Sequence, residues 1–314
     1  MKICTSREEM LALTAGWAAT GETVCLVPTM GNLHDGHLSL LDIAARHGQR
    51  IITSIYVNPL QFAPHEDFNS YPRTVQADLD KLAATGKCDA VFMPKTMYAD
   101  GHATAITPGG AAQGLESVAR PHFFEGVATV VYQLFVQTGA QKAIFGEKDF
   151  QQLRVIQQMV RDLHMGIEII PAPTVREADG LAMSSRNGYL DAAQRAAAPA
   201  LYQALQAAAE GLRARGENDR GDEAGRDNVE QILATAEAAV LAAGFASVDY
   251  MALCDADRLT PITSLHGRRA AQHKDEKGED ERGADKLGAA GCEGMVLLAA
   301  ARLGDVRLID NIRV

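Results

Sequence analysis

Through the first half of the chain, short near-continuous apolar runs alternate with segments whose apolar residues recur every three or four positions. Residues 23–28, 51–57, 89–93, 142–145 and 167–170 are brief and rich in β-branched or other apolar side chains, which predicts strands buried on both faces. Between them, residues 36–47, 74–85, 127–138 and 150–164 carry helical spacing. Strand and helix in alternation predict an α/β fold, a Rossmann-like parallel sheet with helices on both faces, over residues 1–175. Such sheets bind ligands beyond the carboxyl ends of their strands, so the strand-to-helix loops are where chemistry is sought.

The texture changes after Val175. Residues 191–214 and 228–243 are Ala- and Leu-rich and helical in pattern, with Pro199 expected to break or kink the first. Residues 215–227 form a polar, Gly-containing stretch expected to be a loop. Three β-like runs follow at 247–253, 295–301 and 306–309. Residues 176–314 are therefore expected to form a smaller α+β domain around a short antiparallel sheet. Within it, residues 266–292 carry charges of both signs and almost no large apolar side chains. A segment that buries so little cannot offset its ordering entropy, and it is expected to be a flexible surface insertion.

The composition sets limits on function. At 314 residues, with 47% hydrophobic and 22% charged positions, the chain can bury enough apolar surface to fold without disulfides or structural metals. A net charge of −10 argues against nucleic acid as a partner, because that would need an excess of Lys and Arg. It leaves room for one nucleotide, which a few local donors can hold. Cys4, Cys25, Cys88, Cys254 and Cys292 are odd in number, and none forms a C-x-x-C pair; reduced thiols in a cytoplasmic protein are expected. No apolar run approaches the roughly 20 residues needed to span a bilayer, and no signal peptide is read at the N-terminus.

Four motifs carry candidate chemistry. In Val27-Pro28-Thr29-Met30-Gly31-Asn32-Leu33-His34-Asp35-Gly36-His37, a strand runs into a Gly-containing turn and a helix. His34 and His37 share one face of the first turn, where free amide N–H groups and the positive end of the helix dipole favour a phosphate. H-x-x-H alone reads more simply as two surface histidines; the strand and turn before it reverse that preference. A zinc pair is disfavoured, since metal-binding helices commonly use i, i+4 spacing and no third ligand is evident. Phe145-Gly146-Glu147-Lys148-Asp149-Phe150-Gln151-Gln152 also ends a strand. Lys148 suits a phosphate oxygen, and Gln152 lies one helical turn on, able to face the same cleft. A capped helix start with Asp149 as cap and a solvated lysine fits that spacing equally well.

Met183-Ser184-Ser185-Arg186, after Gly180, offers two hydroxyls and a guanidinium for a phosphate clamp, although Ser-Ser-Arg alone is common in loops. Asn58-Pro59-Leu60-Gln61-Phe62 places Gln61, both donor and acceptor, at another strand end; Asn58-Pro59 also reads as a plain turn. Tyr71-Pro72-Arg73-Thr74 opens the next helix, with Thr74 as a candidate cap.

These motifs, in this order, resemble the pantothenate synthetase family, within the nucleotidylyltransferase group that carries H-x-G-H. The match runs from about Thr23 to Leu190, through DGLAMSSRNGYL, and resumes at Leu303–Asn311. The resemblance implies ATP-dependent joining of pantoate to β-alanine with release of AMP and pyrophosphate, by a magnesium-dependent homodimer with small-molecule substrates only. It also implies site residues. Met30, Gly31, Asn32, Leu33, His34, Asp35, Gly36 and His37 would bind ATP, with His37 as general acid. Gly146, Glu147, Lys148 and Asp149 would make a second nucleotide contact, and Val175 a third. Met183, Ser184, Ser185 and Arg186 would form a mobile phosphate loop. Gln61 and Gln152 would hold pantoate, and Gln61 would also lie near β-alanine.

The sequence departs from the family pattern in two places. Where the family commonly shows R-P-x-H-F-x-G-V, this chain has Arg120-Pro121-His122-Phe123-Phe124-Glu125-Gly126-Val127. Phe123 stands at the usual histidine, and His122 comes one place early. The charged 266–292 segment is also longer than usual.

The expected chemistry is attack of a carboxylate, held by Gln61 and Gln152, on the α-phosphorus of ATP, followed by amine attack on the acyl adenylate. Lys148, Arg186, Ser184, Ser185 and Mg²⁺ would neutralise the transition state, while His34 and His37 assist pyrophosphate. One rival is a related nucleotidylyltransferase acting on a phosphate-bearing acceptor. It would want basic residues around the acceptor, where this chain has glutamines. A second rival is a nucleotide-binding regulator without catalysis, suggested by Phe123 and opposed by the retention of His34, His37, Lys148 and Arg186.

Overall fold

The computed structural model describes residues 1–64, 66–218, 226–265 and 294–314. Two compact units are formed, Met1–Gly188 and Tyr189–Val314. The division falls later than the expected boundary at residue 175, so the Ser184–Arg186 loop packs with the first unit.

In the first unit the chain runs β1 (Lys2–Cys4), α1 (Arg7–Ala19), β2 (Val24–Thr29), α2 (Asp35–His47), β3 (Arg50–Ile55), α3 (Val75–Thr85), β4 (Ala90–Phe92), α4 (Glu116–Ala119), α5 (Phe123–Thr138), β5 (Lys142–Gly146), α6 (Phe150–Asp162) and β6 (Glu168–Ala172). The six strands lie in the order β1-β4-β3-β2-β5-β6, all parallel. Period-two alternation along β2 divides the core. Val24 and Leu26 pack with Met10 of α1, Val127, Val131 and Leu134 of α5, and Leu153 and Ile156 of α6. Cys25 and Val27 pack on the opposite face with Leu40, Leu41 and Ala44 of α2 and Leu82 of α3. Helices on both faces explain why these strands read as continuous apolar runs.

The strand order contains the feature that matters for function. From β2 the chain steps outward through β3 to β4, then returns to place β5 on the other side of β2. Register pairs Cys25 with Lys142 and Leu26 with Ala143. The loops leaving β2 and β5 therefore diverge at a topological switch point, where such sheets bind ligands.

β1 and α1 lie outside the sequence expectation. β1 has three residues, and α1 buries only Met10 and Thr14, so neither gives a strong periodic signal. The available signal was the capping box. Ser6 Oγ accepts from Glu9 N–H at 3.2 Å, and Glu9 Oε2 accepts from Ser6 N–H at 3.3 Å. α5 starts at Phe123, one turn before the expected residue 127.

The second unit comprises α7 (Ala192–Ala197), α8 (Ala200–Asn218), α9 (Arg226–Ala242) and an antiparallel sheet of β7 (Ser247–Asp255), β8 (Met295–Leu303) and β9 (Val306–Arg313), in the order β7-β8-β9. The break between α7 and α8 falls at Pro199, which lacks the N–H needed to continue a helix. At both ends of the polar stretch 215–227, expected as a loop, the chain is helical: α8 runs to Asn218 and α9 begins at Arg226. A single helical glycine, Gly216, costs only about 1 kcal/mol, too little to stop the helix. The expected insertion at 266–292 lies outside the described residues.

Candidate active site

The turn between β2 and α2 is shaped by Gly31 and Asn32, both left-handed, with φ of 83° and 51°. Glycine and asparagine are the residues that enter this region at least cost. An acid from a different element holds the turn. Asp78 of α3, 1% exposed, accepts the backbone N–H groups of Asn32 (2.9 Å) and Leu33 (2.8 Å) and the hydroxyl of Thr74 (3.1 Å). Lys81, nearly one turn further along α3, donates to the carbonyl of Leu33 at 2.6 Å. Thr74 occupies the N-cap position of α3 that the sequence suggested, but its hydroxyl makes no capping bond and donates to the acid instead.

The turn delivers two neighbouring imidazoles, tilted at 39° to one another. The rings of His34 and His37 lie 4.0 Å apart. The backbone N–H of His34 donates to Nδ1 of His37 (3.4 Å), which places the proton of the neutral His37 ring on Nε2. His34 Nδ1 is buried without a hydrogen-bond partner among the described residues. The glycine of H-x-G-H has a steric origin: a Cβ on Gly36 would sit 2.9 Å from Cε1 and Nδ1 of His34. Burial pushes the His34 pKa down to about 4, helped by the charges of Lys148 and Lys81 and opposed by Asp35 and Asp149. His37 is pushed down to about 3 by burial, then by His34, Lys148 and Lys81. Both rings are therefore neutral N–H donors near neutral pH. A protonated general acid, as expected for His37, is disfavoured first by burial and then by the neighbouring positive charges.

The β5 loop supplies Lys148. It is 21% exposed at the side chain and 3.8 Å from Asp149 Oδ1, and its charge reaches both imidazoles. Gly146 ends β5, Glu147 and Asp149 share a 3-10 turn with Lys148, and Asp149 makes no side-chain cap bond to α6. The two glutamines that follow have separate roles. Gln151 is buried and donates to the carbonyl of Ala111 (3.0 Å) while accepting from Glu116 N–H (3.0 Å). Gln152 makes no side-chain hydrogen bond among the described residues.

The Ser-Ser-Arg loop meets the β2 turn directly. Ser185 Oγ donates to the carbonyl of Asn32 (3.1 Å), and Asn32 Nδ2 returns a bond to the carbonyl of Ser185 (3.4 Å). Met183 donates its N–H to the carbonyl of Val175 (3.0 Å), and its side chain approaches Gly36. Ser184 Oγ accepts from Arg186 N–H at 3.3 Å. Arg186 itself pairs with Asp67 at 3.0 and 3.2 Å. Burial is the largest single influence and opposes its charge, but the Asp67 bond together with the charges of Asp67, Tyr71 and Asp149 raises its pKa. Asp149 acts on both Arg186 and His34, so the guanidinium shares this rim while its fork is occupied by Asp67.

Gln61 lies at the end of β3's loop. Its Oε1 accepts from Asn58 Nδ2 (3.3 Å) and its Nε2 donates to Met30 Sδ (3.2 Å). Sulfur is a weak acceptor, so this donor is only weakly satisfied. Asp78, Lys81, Asp67 and Arg120 were not singled out from the sequence. The signal available for the first two was the Thr74, Asp78, Lys81 spacing, which puts three polar side chains on one side of α3.

Fold and site first define a class: an α/β protein with a strand-end cradle of neutral imidazoles and a lysine at the switch point of a parallel sheet. The chain belongs to the pantoate–β-alanine ligase family, whose model matches residues 2–313. A pantothenate synthetase of Caulobacter vibrioides is 45% identical over 313 residues, covering 98% of this chain and 96% of that one. One from Rhodopseudomonas palustris is 48% identical over 296 residues, covering 93% and 91%. Among solved structures, pantothenate synthetase from Thermus thermophilus superposes with a TM-score of 0.80 at 37% identity, covering 100% of this chain and 99% of that one. The pantoate–β-alanine ligase of Francisella tularensis, complexed with β-γ ATP and β-alanine, gives 0.72 at 29% identity, covering 100% and 97%.

Proposed function

We propose that this chain condenses pantoate with β-alanine at the expense of ATP, forming pantothenate, AMP and pyrophosphate through a pantoyl adenylate. Family membership over nearly the whole chain supports the reaction, and the ATP and β-alanine carried by the Francisella tularensis relative support the substrates. The observation that carries the reading is the meeting at one switch point of His34 and His37 from the β2 loop with Lys148 from the β5 loop.

In the first half-reaction a pantoate carboxylate oxygen attacks the α-phosphorus of ATP. The bond from the α-phosphorus to the bridging oxygen breaks, and pyrophosphate leaves with that electron pair. Gln61 and Gln152 orient the acid. Met30 to Leu33, Asp35, Gly36, Gly146, Glu147, Asp149, Val175 and Met183 line the nucleotide. Lys148, Ser184, Ser185 and Arg186 offset charge on the phosphates, with Arg186 leaving Asp67 to do so. His34 and His37 donate N–H groups to the departing pyrophosphate. In the second half-reaction the amine of β-alanine attacks the acyl carbon. A C–N bond forms, the C–O bond to AMP breaks, and the nitrogen loses a proton.

Magnesium belongs to the nucleotide in this reading and supplies charge neutralisation on the phosphate oxygens. Among the described residues no group of three or more His, Cys, Asp or Glu is poised to hold a metal, which suits an ion ligated mainly by phosphate and water. A homodimer and a cytoplasmic location belong to the same proposal. Among the described residues no helix is long and apolar enough to cross a membrane.

The test is exchange of labelled pyrophosphate into ATP by the purified chain. Exchange that requires pantoate and proceeds without β-alanine is expected. Active protein that makes pantothenate with no such exchange would remove the adenylate.

A further inference from the structure

The reaction as derived leaves Phe123 without a role, although it is where this chain departs from the family pattern. Phe123 is the first residue of α5, and the guanidinium carbon of Arg120 lies over its ring, 3.8 Å from the centroid. His122, which a shift of one residue would have put in its place, is exposed at the N-cap. The other side of Arg120 is fully engaged. Nε and Nη2 donate to the two oxygens of Glu66 at 2.6 and 2.7 Å, a fork-on-fork pair. Nη1 donates to Glu116 at 3.3 Å, and Nη2 also donates to the backbone carbonyl of Gln61 at 3.0 Å. The Arg120, Glu66 and Glu116 side chains are only 16%, 19% and 8% exposed.

The parts that bring Arg120 to this place are themselves constrained. α4, which precedes it, has Leu115 as its N-cap at a positive φ of 47°, an unusual conformation for a leucine. Gln151 accepts the N–H of Glu116 at 3.0 Å and so ties that turn to α6, next to Gln152. On the far side, a Cβ on Gly126 would fall 2.2 Å from the carbonyl oxygen of Leu60, so α5 is seated directly against the Gln61 loop. Asn58, 1% exposed, donates to the carbonyl of Gly126 (3.1 Å) and to Gln61 Oε1 (3.3 Å). Gln61 is thereby gripped at its side chain by Asn58 and at its carbonyl by Arg120.

We propose that Arg120, clamped between Glu66 and the face of Phe123, is a positioning residue that fixes Gln61 for the hydroxy-acid substrate. The proposal rests on the reading that Gln61 binds that acid. Phenylalanine suits the position because its face attracts the guanidinium at every pH, whereas a histidine that gained a proton would repel it. Arg120 is not a catalytic residue on this reading, since it contacts the Gln61 backbone and not the reacting atoms.

The experiment is steady-state kinetics of the full chain and its variants, with pantoate and ATP varied separately and thermal midpoints measured alongside. Arg120→Lys keeps the charge but loses the fork and the planar group over the Phe123 ring. It is expected to raise the KM for pantoate about tenfold, the effect of losing one charge-assisted hydrogen bond, with the KM for ATP unchanged to within about twofold. Phe123→Leu, which keeps apolar bulk but removes the aromatic face, is expected to raise it about threefold. Glu66→Gln serves as the milder variant if Arg120→Lys folds poorly, and is expected to change the same constant. In a Gln61→Ala background, Arg120→Lys is expected to add nothing further, because both act through one group. If Gln61→Ala leaves the pantoate KM untouched, the assignment of Gln61 fails and takes this proposal with it. If Gln61→Ala raises that KM while Arg120→Lys shifts only the thermal midpoint, or moves both KM values together, Arg120 is structural and the proposal alone is overturned.

Discussion

Asp78 Oδ1 accepts the backbone N–H of Leu33 at 2.8 Å, across 45 positions of sequence. With the companion bond from Asn32, this carboxylate satisfies two backbone donors of a left-handed turn from a different element. The histidines of the proposed ATP site thus hang from a turn whose geometry is set by α3.

Asp78→Asn tests that dependence. Asparagine offers one acceptor oxygen and turns an NH₂ group toward the second backbone N–H. Stability is expected to fall by about 2 kcal/mol, the cost of leaving a buried donor unsatisfied. The KM for ATP should rise more than that for pantoate. Denaturant unfolding and two-substrate kinetics check the pair; a rise confined to pantoate would contradict the role given to the turn.

Gly36→Ala addresses the imidazole pair. The added Cβ would meet the His34 ring at 2.9 Å, so the ring must move by several tenths of an ångström. Alanine suits a helix better than glycine, so the fold is expected to persist. Pyrophosphate exchange is expected to drop about 100-fold, as displacements on this scale at a reacting group do. Near-normal exchange would show that His34 placement is unimportant.

The histidines also set an acid dependence. Both have folded-state pKa values below the ordinary 6.5, about 4 for His34 and about 3 for His37. Between pH 6.5 and those values the unfolded chain binds protons that the folded chain refuses, so stability falls as pH is lowered through this window. Comparing thermal midpoints at pH 7 and pH 5 should show a smaller acid loss in His37→Asn than in the parent. Equal losses would mean that His37 is not the buried neutral group described.

Arg186→Ala separates chemistry from stability. The Arg186–Asp67 pair has side chains 34% and 23% exposed, and pairs of this kind contribute about 1 kcal/mol or less. The thermal midpoint should therefore change little. On the proposed function, removing the guanidinium that offsets phosphate charge after leaving Asp67 is expected to lower the adenylation rate by about 100-fold or more. A variant that melts much earlier but turns over normally would assign Arg186 to structure.

Much of this protein was legible in its sequence because the signals are local. A strand buried on both faces must be apolar along its length, so β2, β3 and β5 showed in the pattern. H-x-G-H is legible because its glycine, helix start and imidazoles lie within one turn, and GEKD because a strand ends directly before it. β1 was not legible: three residues carry no periodicity, and its strand pairing with β4 is settled about 90 residues away, Lys2 opposite Ala90.

What only the tertiary structure decided are the relations between distant residues. Which loops share a rim follows from the reversal of strand order between β2 and β5, and no local pattern encodes that order. The difference between Gln151, buried in a hydrogen-bonded network, and Gln152, half-buried beside it, depends on which way α6 is turned against its neighbours. The partners of Asp78, Arg120 and Arg186 are likewise set by packing, because charged side chains bind whatever the fold brings within about 3 Å of them. Sequence determined the elements and the chemical groups they carry; the packed sheet decided which groups meet, since contact energy depends on separation in space and not along the chain.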